Sequence, residues 1–188
     1  IAGFNGAVTV NGTSVKAKGF QVKYSDVLET GKNSYCDIII DEKNIIRIKD
    51  NTRFVYMISA NENTMQLDRG WMAAVIRKRF TNTGEFLIKT PAVTASIRGT
   101  SFFVRAGSDR SSYFCVCNGS VTLAGGGQSM AETVTAAAHA GRTYTMDKNT
   151  GYITIDRNPG LLYHDSSTLD ELASQIDEKI DWTVPDSM

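Results

Sequence analysis

Apolar residues in this sequence recur with a period of two, and turn signals interrupt them every few residues. Ala7-Val8-Thr9-Val10 runs into Asn11-Gly12 and then Thr13-Ser14-Val15. Asn-Gly between short extended runs signals a hairpin, because both turn residues tolerate positive φ. The pattern recurs at Asn118-Gly119, between Tyr113-Phe114-Cys115-Val116-Cys117 and Ser120-Val121-Thr122-Leu123. Asp41-Glu42-Lys43-Asn44 and Asn149-Thr150-Gly151 make two further expected turns. Strands are expected near 6–10, 13–17, 20–23, 35–40, 44–49, 52–58, 63–67, 71–79, 85–89, 92–97, 101–106, 112–117, 120–124, 132–138, 142–146 and 151–156. Many short strands with frequent turns restrict the fold to a sandwich, a roll or a solenoid.

The end of the chain changes period. Leu169, Leu172, Ala173, Ile176 and Ile180 recur at helical spacing, with acidic and polar residues between them. Ser167 is the expected N-cap, with Asp170 three residues on, and Pro185 forbids continuation. The chain therefore reads as mainly β: a β domain over 1–158, with a C-terminal loop and one amphipathic helix (159–188) packing on the same domain. Ala124-Gly125-Gly126-Gly127-Gln128-Ser129 is expected to be a plain loop. No Lys-Ser/Thr follows it and no helix opens there, so it is not a phosphate cradle.

Charge excludes one class of partner. Twenty Lys+Arg balance twenty Asp+Glu, whereas nucleic-acid affinity rests on a basic excess. The densest basic run, Arg77-Lys78-Arg79, lies in a strand-like segment and reads as a solvated face. No apolar stretch approaches the about 20 residues that span a bilayer; Met72-Ala73-Ala74-Val75-Ile76 is strand-sized. The first residue is Ile, as removal of a signal peptide or trimming of the chain would leave it. With no Gly-x-Ser-x-Gly elbow and only two His as general bases, the chain is not expected to be an enzyme.

Cys115-Val116-Cys117 is the most pointed local feature. Residues i and i+2 of a strand share a face, with α-carbons about 6.6 Å apart by the strand rise. Their side chains run parallel, so a mutual disulfide is strained, whereas two parallel thiolates suit one metal ion. The only two His, His139 and His164, lie downstream. His139 falls in the strand-like Ala136–Ala140 run, and His164 just before the expected helix. Cys115, Cys117, His139 and His164 together have the composition of a closed structural zinc site, with iron as the alternative ion. Two rival readings stand beside it: unrelated buried thiols and imidazoles, and redox use, including a bridge from Cys36 to Cys115 or Cys117. No Lys or Arg flanks the pair to favour a thiolate. Asp165 is expected to cap the helix, or to orient a ligand imidazole.

The stretch Thr90-Pro91-Ala92-Val93-Thr94-Ala95-Ser96-Ile97-Arg98-Gly99-Thr100-Ser101-Phe102-Phe103-Val104 resembles the signature of FecR-type domains, in which a Thr-Pro-x-Ala-like strand runs into Arg-Gly-Thr-x-Phe-x-Val. Gly6-x-Val8-x-Val10, Asp26-Val27-Leu28-Glu29-Thr30-Gly31-x-x-Ser34, Arg47 with Thr52, Leu67-x-x-Gly70 and Asn118-Gly119-Ser120-Val121 fall in the family's order, covering residues 4 to 156. Read physically, these positions are fold determinants: Gly31 and Gly99 permit unusual backbone, and Pro91 suits a strand entry.

The resemblance implies a β-roll or solenoid-like domain on the outer side of a bacterial inner membrane, periplasmic or secreted. In signalling members this domain relays an outer-membrane receptor's state to a cytoplasmic sigma factor. Such members add an anti-sigma segment, a membrane helix and a receptor-binding domain, none of which is recognised in this sequence. The expected function is a binding or assembly module, acting on a protein partner or by self-association. The alternatives are metal-dependent redox or electron transfer, and periplasmic signal relay.

Overall fold

The computed structural model describes residues 1–58, 63–77, 86–125 and 131–186. They form fourteen strands and one helix: β1 Gly3–Asn5, β2 Val8–Val10, β3 Thr13–Ser14, β4 Val27–Thr30, β5 Tyr35–Asp41, β6 Asn44–Ile48, β7 Arg53–Ile58, β8 Asn63–Ile76, β9 Phe86–Lys89, β10 Val93–Ala106, β11 Ser111–Gly125, β12 Ala131–Ala136, β13 Ala140–Met146, β14 Ile153–Asp156 and α1 Ser166–Ser174. The strands make one open sheet whose main path runs β14-β13-β11-β10-β9-β8-β7-β4-β2-β3. The pair β5–β6 adds to β8, β1 adds to β5, and β12 adds to β11. The pairing is antiparallel except between β8 and β9. The chain is mainly β, as expected.

The turns at Asn11-Gly12, 41–44 and 147–152 are hairpin connections, with Asn11 and Gly12 at φ 50° and 77°. Asn118-Gly119 is not. It lies inside the fifteen-residue strand β11. Likewise the expected strands at 63–67 and 71–79 join into β8, and those at 92–97 and 101–106 into β10. Gly70, Gly99 and Gly119 sit inside these long strands at φ 95°, 57° and 118°. At each of these glycines the strand changes partner. β8 leaves β7 for β6 and β10, β10 leaves β9 for β8, and β11 leaves β13 for β12. A positive φ bends a strand sharply without ending it, and only glycine adopts it cheaply.

Two further expectations change. The segment 20–23 is not a strand, and Val27–Thr30, read only as part of a family motif, is one. Gly31 has no positive φ. Its constraint is close packing, since a β-carbon there would lie 3.1 Å from that of Ala7. Lys78 and Arg79 of the basic run, and 126–129 of the glycine loop, lie outside the described residues.

The central strands bury both faces. Met72, Ala74 and Ile76 of β8, Phe102, Val104 and Ala106 of β10, and Phe114 and Val116 of β11 join the large core. Their alternates Ala73, Val75, Phe103, Tyr113, Cys115 and Cys117 join a second cluster with Ile45. Burial on both sides explains why these strands read as continuous apolar runs instead of clean alternation. Leu169, Leu172, Ala173 and Ile176 of the C-terminal segment cover the second cluster. The helix is shorter than its pattern, since Ile176 and Ile180 lie beyond its last turn. Its N-cap is Asp165, not Ser167: the Asp165 carboxylate accepts from Thr168 N and from the Ser167 hydroxyl.

Candidate metal centre

Cys115 and Cys117 project from β11 toward the second cluster, on the face opposite Phe114 and Val116. Both are fully buried. His139 comes from the bend joining β12 to β13, not from a strand. Its backbone has φ 49°, and its main-chain N–H donates to Cys117 O at 3.1 Å, which holds the bend against β11. His164 precedes the N-cap of α1. The four residues expected to act together therefore do converge, from one strand, one bend and one helix approach, and their four donor atoms lie within 4.8 Å of one another.

Each imidazole presents a ring nitrogen to a sulfur. His139 Nδ1 is 3.8 Å from Cys115 Sγ, and His164 Nε2 is 3.2 Å from Cys117 Sγ. The other nitrogens are engaged. His164 Nδ1 donates to Leu162 O at 2.9 Å, which leaves the Nε2 lone pair facing Cys117. His139 Nε2 is 2.8 Å from Ser166 Oγ. The rings are also held by stacking: His164 lies on Phe103 at 4.2 Å between centroids, and His139 on Trp182 at 5.1 Å. Such outer partners fix ring orientation in metal sites.

The thiols do not titrate as equals. Cys115 is held well below its ordinary value, first by the hydrogen bond with Cys117 and then by those with His139 and His164, against the opposing effect of burial. Cys117 is pushed well above its ordinary value by burial, and further by Cys115. A second negative charge on this face is therefore costly unless a cation joins it. The hydrogen bonds that favour a Cys115 thiolate come first from Cys117 and then from two imidazoles distant in sequence, which a scan of the flanking positions does not find.

Cys36 takes no part. It belongs to the large core on the other face, its thiol is pushed up to about 12 by burial, and all three cysteines are free. A bridge from Cys36 to either partner is thereby ruled out in this structure. The buried sulfurs give a substrate no approach, so the Cys115–His139 pair is not set for nucleophilic catalysis.

Sequence reading missed the groups that seat the C-terminal segment around this site. Asn118 is buried next to Cys117. Its amide donates to Ala137 O, Asp181 O and Val184 O at 2.8–2.9 Å, and its carbonyl accepts from Asp186 N. Arg47 of β6 grips Asp37 with two bonds at 2.6 and 2.7 Å and Glu171 of α1 with two at 2.9 Å. Gln175 adds a bond to Asp37 at 3.0 Å. The sequence signal available was weak in each case: a single Asn in a turn-like dipeptide, and one charged residue inside an apolar strand.

A family model described as FecR protein matches residues 26–122. No curated protein matches the chain. Two crystal structures of a Parabacteroides distasonis protein described as a candidate anti-sigma factor share the fold, each at TM-score 0.55 and 12% identity. The matched regions cover 78% and 80% of this chain. They span 64% of the first neighbour's length, just under two thirds, and 73% of the second's.

Proposed function

Because this chain belongs to the FecR family, we propose that it is an extracytoplasmic protein-binding module of signal relay, acting by contact with a protein partner or with further copies of itself. The observation that carries this reading is the open sheet. Among the described residues β14 pairs only with β13, and β3 only with β2. The outer side of β3, and that of β14 past Ile153, is therefore where an incoming strand would add. The β14 end is also bordered by the exposed ring of Tyr152. The similarity to candidate anti-sigma factors supports a regulatory role over a catalytic one.

Two finer statements belong to the same reading. The sheet is a roll: three long strands bend at glycines, and one interior cluster gathers residues from Val8 to Ile153. The module works in the periplasm or as a secreted protein, the usual setting of FecR domains. No helix among the described residues is long and apolar enough to cross a membrane.

The test is a photo-crosslinker placed in turn at Thr154 on β14 and at Thr13 on β3, with Asp170 on α1 as the comparison. The expected result is an adduct with one protein, or with a second copy, from an edge position and not from Asp170. A chain that stays monomeric at every concentration and yields no adduct from either edge in producing cells would sink the proposal.

A further inference from the structure

We propose that Cys115, Cys117, His139 and His164 bind one zinc ion in a closed tetrahedral site, which staples the C-terminal segment to the outer face of the sheet. Nothing in the relay reading requires this site, and its residues lie on the face away from the large core.

Geometry comes first. Zinc–sulfur bonds of about 2.3 Å and zinc–nitrogen bonds of about 2.0–2.1 Å, arranged tetrahedrally, place neighbouring donors about 3.4–3.8 Å apart. The two Cys–His separations are 3.2 and 3.8 Å, and no pair of donors exceeds 4.8 Å. Shifts of under about 1 Å complete the tetrahedron.

The imidazoles are also held in a suitable orientation. His164 is fixed as the tautomer with its Nε2 lone pair facing inward, because Leu162 O accepts from Nδ1. Ser166 Oγ, 2.8 Å from His139 Nε2, is placed for the matching role: accepting from Nε2–H there would leave Nδ1 to the ion. Two thiolates cancel the two positive charges of zinc, so the loaded site is neutral. A neutral site is what this surround suits: Phe103 and Trp182 stack on the imidazoles, and Leu169 and Leu172 lie in the same buried cluster.

Zinc fits better than the hard divalent ions. All four donors are sulfur or imidazole, with no carboxylate in the group, which excludes magnesium and calcium. Four protein ligands under stacked rings leave no open position, so the ion is structural and does not activate water.

The ion would join three places far apart in sequence: β11, the β12–β13 bend and the approach to α1. The residues between Asp156 and Ser166 have no regular structure, so His164 would be their anchor next to the helix.

The decisive experiment is elemental analysis of chain purified without chelator or a metal-affinity tag, with cobalt titration of the stripped protein. The expected result is one zinc per chain. Stripped protein should take up one equivalent of cobalt with the visible bands of a tetrahedral, thiolate-bound ion. Cys117→Ser and His164→Gln should each lose zinc affinity by at least about tenfold, while Cys36→Ser keeps one equivalent. Where a ligand variant fails to fold, the cobalt spectrum of the wild-type chain decides alone. Wild-type chain that takes up no stoichiometric zinc or cobalt, or whose cobalt spectrum lacks thiolate bands, overturns the proposal. A coloured protein carrying iron overturns the zinc assignment.

Discussion

One hydroxyl separates a preorganised His139 from a free one. Ser166 Oγ lies 2.8 Å from Nε2, and among the described residues no other hydrogen bond at that nitrogen competes for it. Ser166→Ala should leave the fold intact, since the residue is only half-buried, and should weaken zinc binding about tenfold or more by releasing the ring. Competition with a colorimetric chelator measures this. An unchanged affinity would mean that stacking on Trp182 alone orients the ring. The glycines give a second contrast at this scale. Gly119 has φ 118°, and a β-carbon there would lie 2.7 Å from Gly99 O. Gly151 has φ 70° but opens into empty space. Gly119→Ala should therefore cost about 3 kcal/mol or more, and Gly151→Ala only about 1 kcal/mol. Urea midpoints compare the two, and equal losses would show that the bend in β11 relaxes easily.

Helix α1 depends on a second attachment that the cysteines do not share. Arg47 is 7% exposed, sits over the Tyr35 ring at 4.6 Å and neutralises Asp37, which is 2% exposed. Arg47→Met should destabilise by about 3–5 kcal/mol, because it strands a buried carboxylate. Adding Asp37→Leu should recover most of that loss, because no buried charge then remains. Glu171 reports the same attachment through pH. Its carboxyl is held below its ordinary value, chiefly by the hydrogen bonds from Arg47. A depressed folded value means that its contribution is fully present above the unfolded value near 4.5 and is lost as pH falls through the lower folded value. Glu171→Gln should thus flatten the acid end of the melting-temperature profile and leave its slope above pH ~5 unchanged. The effect is small, since the Glu171 side chain is 59% exposed and screened.

These elements also show what could be read in advance. Period-two runs placed most strands, because alternation is a local property of a half-buried strand. Strand fusion was not readable. A glycine at φ above zero looks the same in sequence whether it closes a hairpin or bends one strand between two partners, and only the distant partners of β8, β10 and β11 decide. The Cys pair was readable from the same-face rule, and the His pair only because the chain has no other His. Ser166, Asn118 and the Arg47–Glu171 contact were not, since each joins residues 19 or more positions apart through tertiary packing.

At the scale of the molecule, the question is which forces hold residues 157–186 on the sheet. Nine helical residues do not hold a helix alone in water, so α1 exists because it is docked. Leu169, Leu172, Ala173 and Ile176 are all buried against the sheet, and the larger of these side chains contribute about 1.5–3 kcal/mol each. Arg47 and Asn118 add polar anchors at the middle and the end of the segment. The proposed metal would anchor only its beginning, at His164, together with the bend at His139. Stripping the ion should therefore loosen the chain locally. Amide exchange should speed up around 137–140 and 158–166, while α1 and strands β6, β8 and β10 keep their protection. Hydrogen exchange of stripped against zinc-loaded chain reads this directly. If all of 157–186 loses protection on stripping, the metal outweighs the apolar face as the force that docks the helix. If β8 and β10 lose it as well, the cover supplied by the C-terminal segment is a condition for the central sheet itself. The faces of Ile45, Val75 and Phe103, buried while the segment is docked, would then be the surface through which metal loss reaches the rest of the fold.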